Sequence, residues 1–209
     1  LFSACQKNNL TTENNPAELR RNCSSQDVLA EQLKADPTLE QRMAEYESIV
    51  QQNMLDNKFA RLVNGVIEIP VVVNVLYRTT AENVSLAQIQ SQIDVLNQDF
   101  SATNSDYGNT PSTFTGVASG DINVSFVLDQ IKRKQTTKNS WQTNDAMKKN
   151  SQGGLNPTSP TTKLNLWVCN LAGGVLGYAQ FPGGNQNTDG VVLDDNATGT
   201  TGTAAAPFN

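Results

Sequence analysis

Ile69-Pro70-Val71-Val72-Val73-Asn74-Val75-Leu76-Tyr77 is the stretch whose reading decides the fold. A β-branched, nearly uninterrupted apolar run predicts a strand buried on both faces, with Pro70 tolerated near its start. Ser85 then offers an N-cap, and Leu86, Ile89, Ile93, Leu96 and Phe100 recur at helical spacing, while Gln88, Gln92, Asp94 and Asn97 face elsewhere. A buried strand followed by a crossover helix begins a right-handed βαβ unit. Residues 122–128 alternate as the next strand, and residues 164–169, 176–181 and 190–194 predict three more. Residues 129–163 are polar and rich in Thr, Asn, Ser and Lys, which predicts a long surface excursion with one helical turn near 144–149. The sum is an α/β (α+β) fold, a twisted mixed sheet with backing helices.

Upstream of the sheet, residues 24–54 read as helical, with Ser24 or Ser25 as N-cap and Pro37 where a second helix begins. Leu39, Met43, Tyr46, Val50 and Met54 fall on one face of that second helix, so the pair is expected to lie against something. The polar stretch 55–65 marks a boundary. The expected organisation is therefore a leader remnant and polar tether over 1–22, a helical segment over 23–61, and the main domain over 62–209.

A net charge of -5 offers no general attraction to nucleic acid or to an anionic membrane surface. The cluster Lys132, Arg133, Lys134 and Lys138 lacks interleaved aromatics and reads as a solvated loop. No apolar run reaches transmembrane length. Leu1-Phe2-Ser3-Ala4-Cys5 resembles the end of a bacterial lipoprotein signal peptide, in which Cys5 would be lipidated. An ordinary thiol in a chance apolar pentapeptide is the alternative. The Asn-rich segment that follows suits a tether, so an extracytoplasmic protein of a bacterium is expected, secreted or held at the outer surface through Cys5.

Histidine is absent from the whole chain, which removes Ser-His-Asp, Cys-His and histidine-zinc chemistry from these residues. Three cysteines without CxxC spacing make neither a disulfide framework nor a zinc ribbon, and Cys169, mid-strand, reads as a small buried hydrophobe. Gly173-Gly174 and Gly183-Gly184 match no phosphate-binding loop. Asp194 and Asp195 are adjacent at a strand end, where neighbouring side chains point apart, which favours a cap or turn hydrogen bond over a paired acid and base.

The segments 164–182 (LNLWVCNLAGGVLGYAQFP), 188–193 (TDGVVL) and 198–209 (TGTTGTAAAPFN) together resemble the pappalysin family of zinc metallopeptidases, in the part just ahead of its HExxH helix. IPVVVNVLY, AQIQSQIDVLNQDF, the TNSD of residues 103–106 and INVSFVL follow the family's order, so the resemblance runs from about Ile69 to the C-terminus. It implies the N-terminal subdomain of a zincin, preceded by a helical prosegment, in a secreted or lipid-anchored zinc metalloendopeptidase made as a latent zymogen. The zinc would be bound by residues beyond Asn209, with calcium a further candidate ion, and this chain alone is expected to be inactive.

The resemblance also assigns residues. Leu176, Gly177, Tyr178, Ala179, Gln180 and Phe181 match the upper-rim strand that pairs with a protein or peptide substrate, Gly177 and Ala179 being small enough to admit one. On the residues alone, Gly177 as a bulge and Tyr178 as a core residue stay open. Cys23, behind Arg20 and Arg21, resembles the family's prosegment cysteine, an inhibitory zinc ligand, and an incidental thiol is the alternative. Lys58 and Arg61 are candidate processing points in what is otherwise a plain linker. A second class of function is a non-catalytic α/β surface module that binds extended peptides along the 176–181 edge.

Overall fold

A computed structural model describes residues 24–55, 62–63, 65–204 and 206. Cys5, Arg20, Arg21, Cys23, Lys58 and Arg61 lie outside the described residues, as does the side chain of Met54. The described elements run α1 (Ser25–Ala35), α2 (Leu39–Leu55), β1 (Leu62–Val63), β2 (Val66–Tyr77), α3 (Leu86–Phe100), β3 (Val124–Gln135), β4 (Leu164–Cys169), β5 (Gly177–Ala179) and β6 (Val191–Asp194).

β2 is central, as its composition predicts. It pairs in parallel with β3 over its whole length and with β4 from Val71 to Val75, while β1 forms a short antiparallel hairpin with its start. β4 pairs in parallel with β6, and β6 carries antiparallel β5 at the sheet's far edge. Alternation along the strands sends Val71, Val73, Val75, Leu166 and Val168 to one face, where Ile89 and Ile93 of α3 cover them with Phe126. Ser85 caps α3, accepting a 3.1 Å hydrogen bond from the Gln88 amide.

The opposite face holds Leu76, Trp167, Cys169, Tyr178 and Val192, and here the sequence reading needs correction. Residues 136–163 are no surface excursion. Trp141, Ala146 and Met147 are buried against this face, and the carbonyl of Leu155 accepts a 2.9 Å bond from the Trp167 indole. A loop thus replaces the second helical layer that a parallel sheet needs. The expected turn is a 3-10 helix over Ala146–Lys148.

β3 also outlasts its predicted end, because each basic residue after Asp129 finds an acceptor rather than bulk water. Lys132 and Lys134 donate to the carbonyls of Asn156 and Gly154, and Arg133 to that of Val84. The basic cluster is thus a set of loop ties. An extra residue in β3 opposite Val71 and Val72 makes a bulge that absorbs Asp129.

α1 lays Val28 into the loop-covered face, and Leu39 is buried at the start of α2. Beyond that the expected apolar stripe fails: Tyr46 is 51% exposed and Val50 41%. The helical hairpin rests on the sheet by one end.

Candidate functional site: the β5 edge and its cover

β5 spans Gly177–Ala179, shorter than the six residues expected, although the Leu176 carbonyl still accepts from the Asp194 amide of β6 at 2.9 Å. Tyr178 pairs with Val192 of β6, so the polar backbone groups of Gly177 and Ala179 face away from the sheet. One group of each is already occupied. The Ser24 amide donates to the Gly177 carbonyl at 3.2 Å, and the Ala179 amide donates to Ser25 Oγ at 3.1 Å. The start of α1 therefore sits where an added strand would pair.

The glycine at 177 has a different cause from the one expected. A Cβ there would stand 2.7 Å from the Val192 carbonyl, so its absence admits β6. Tyr178 is a core residue, 2% exposed, whose hydroxyl donates to Asp145 Oδ1 at 2.9 Å. Burial and the adjacent Asp145 carboxylate push that phenol well above its usual range.

Beneath β5 lies a buried cation that sequence reading missed. Lys148 Nζ pairs with Asp145 Oδ1 at 3.0 Å and donates to the Thr188 carbonyl at 2.7 Å. It stands 5.1 Å from the Tyr178 ring centre and 5.6 Å from that of Trp167. Burial lowers its pKa, and Asp145 opposes that shift. Thr188 in turn donates to Gln180 Oε1, so one ammonium ties the 145–148 turn to the loop behind β5. Only the Lys148-Lys149 pair hinted at it, and such pairs usually mark a surface.

A cleft of about 580 Å³ opens between the helical hairpin and this loop, lined among others by Asp36, Leu39, Arg42, Lys149, Gln180 and Asn185. Arg42 closes one side, its Nε donating to the Gly183 carbonyl at 2.9 Å.

Behind β6, Asp194 Oδ2 accepts from the Leu171 amide at 2.7 Å and Oδ1 from that of Asn196, the turn role expected. Asp195 is buried, and its Oδ1 has no partner among the described residues. Burial, then Asp194 and Glu82, raise its pKa to about 6. Cys169 is buried, its thiol raised by desolvation. On α3, the Gln88 amide nitrogen donates to the carbonyls of Asp195 and Thr198 and to Thr203 Oγ1, each at 3.0 Å, which fixes the 195–203 segment. A glutamine beside an apolar stripe gave no sign of this.

No group of three His, Cys, Asp or Glu side chains that could hold a metal occurs among the described residues, and no described helix is long and apolar enough to cross a membrane.

The chain thus carries a mostly parallel sheet whose antiparallel edge strand is covered by an upstream helical hairpin. Several solved structures resemble this chain. A promirolysin mutant from Tannerella forsythia matches with a TM-score of 0.76 and 37% identity over 90% of this chain and 64% of that one. Mature mirolysin from Tannerella forsythia in complex with a cleaved peptide matches at 0.65 and 41% over 69% and 58%. Mirolysin in complex with a compound matches at 0.65 and 43% over the same shares. No protein-family model and no curated protein matches the chain. The chain spans less than two thirds of each of these structures, and the proform match reaches over more of it than the mature ones do.

Proposed function

We propose that this chain is the prosegment and N-terminal subdomain of a pappalysin-family zinc metalloendopeptidase made as a latent zymogen. The observation that carries this reading is the occupied edge: Ser24 and Ser25 take one outward backbone group of each outward-facing residue of β5, Gly177 O and Ala179 N–H. An edge strand that pairs through its backbone accepts almost any extended peptide, which is what an endopeptidase needs of its upper rim. The mirolysin structure that holds a cleaved peptide supports such a use of the fold. A module that displays this edge for peptide binding has less support, because the chain covers it with its own helix.

In this reading Cys23, directly before Ser24 in sequence, is the inhibitory zinc ligand, with Arg21 beside it. Zinc would be held by residues of the full-length protein outside this chain and would supply Lewis-acid activation of water there. Lys58 and Arg61 are the processing points, and Cys5 is the lipid anchor of a secreted or surface-held protein. The test is hydrolysis of a quenched peptide library by the full-length protein before and after prosegment removal, with and without a zinc chelator. Latency, then activity that the chelator abolishes, is expected, with Cys23→Ala raising basal proteolysis. Activity that ignores the chelator would refute the zinc assignment.

A further inference from the structure

Residues 24–43 make a series of contacts that hold the helical hairpin, well before residues 56–61 in sequence. At one end are the Ser24 and Ser25 bonds to β5, with Val28 buried among the apolar side chains beneath that strand. At the other end Leu39 is buried, and Arg42 reaches the Gly183 carbonyl. Gly183 has φ +91°, and a Cβ there would lie 3.0 Å from the Met43 amide nitrogen and 3.1 Å from the Arg42 carbonyl carbon. The backbone of α2 thus sits against a glycine that leaves room for it.

Arg42 arrives preformed. Its Nη1 donates to Thr38 Oγ1 and its Nη2 pairs with Asp36 Oδ2 at 2.7 Å, while Asp36 Oδ1 accepts from the Thr38 amide. Arg42 first, and then Thr38, hold the Asp36 carboxyl down to about 2, so the clasp keeps its charges at any physiological pH. Past Met43 the helix turns Tyr46, Ile49 and Val50 to solvent. A cut in residues 56–61 severs none of these contacts.

We infer that the hairpin is a self-contained inhibitor that stays docked on the β5 rim after the tether is cut, and that Arg42 on the Gly183 carbonyl is its second anchor. The inference rests on the zymogen reading above and adds that cleavage alone does not activate. Release becomes a matter of concentration, or of destruction of the hairpin.

The experiment uses the full-length protein with a site for a specific protease replacing residues 57–61. After complete cutting at micromolar concentration, the hairpin is expected to co-elute with the enzyme in size exclusion, with activity below about a tenth of that after hairpin removal. Dilution should restore activity, and Arg42→Ala should shift the midpoint of that recovery by about tenfold, one charged hydrogen bond's worth. Arg42→Lys should fall between, since it keeps the charge but loses the planar fork. Because Arg42 lies in the removable part, the freed enzyme should be unchanged. Immediate full activity on cutting, with the hairpin eluting alone, would overturn the inference and leave the zymogen reading intact. Full activity of the uncut protein would overturn both.

Discussion

α3 and the α1–α2 hairpin are both helical layers on one sheet, yet they are attached in different ways. α3 buries Ile89, Ile93 and Gln88 almost completely, and Asn97 exchanges two bonds with the Phe126 backbone, at 2.9 and 2.7 Å. Among its described apolar side chains the hairpin buries Val28 and Leu39, and polar contacts at its near end add to them. One helix is built into the core, whereas the other is laid over the rim. The difference teaches that helix content upstream of this sheet serves occupancy of an edge more than stability of the fold.

That contrast can be broken or sharpened by substitution. The largest effect is expected for Ile93→Ala on the α3 side, about 3 kcal/mol of global stability by denaturant unfolding. Lys148→Ala should follow at about 2 to 3 kcal/mol, because it leaves Asp145 and the Thr188 carbonyl without their buried cation. If Lys148 serves the rim loop, that variant should also raise KM for extended peptides in the full-length enzyme more than it lowers kcat. In the hairpin, Leu39→Ala should leave global stability nearly unchanged and speed proteolytic loss of residues 24–55 several-fold. Tyr46→Ser on the exposed face should alter neither, staying within about 0.5 kcal/mol.

A further effect concerns pH. Asp195 binds its proton more tightly folded than unfolded, its pKa rising from 3.8 to about 6. Its contribution is therefore greatest below about pH 4, falls as pH rises to about 6, and stays low above that. Asp195→Asn should flatten this slope in a melting-temperature profile and stabilise the chain at neutral pH. An unchanged profile would show that the lone carboxylate oxygen is compensated.

The sheet was legible because its strands carry physical signals: β2 is apolar on both faces since it is covered on both, and Ser85 caps α3 as its position predicts. The second half of β3 was not, because Lys132, Arg133 and Lys134 look like loop residues until the acceptors they reach are seen. Residues 136–163 hid a core layer for the same reason, with Trp141, Ala146, Met147 and Leu155 as scattered apolar hints in a polar stretch. The edge strand β5 could be placed, but not its cover, since a hydrogen bond from Ala179 to Ser25 joins residues 154 positions apart. No local pattern encodes such a bond, nor the clasp between Arg42 and Gly183.

The central claim is that the hairpin occupies the edge that a substrate would pair with. Backbone amide exchange at Ala179 tests it most directly, measured in the full-length protein with the hairpin in place, after its removal, and after addition of an extended peptide. The account predicts slow exchange, then fast, then slow again, with the peptide binding only after removal. Equal peptide binding to both forms, with exchange at Ala179 unaffected by the hairpin, would contradict it.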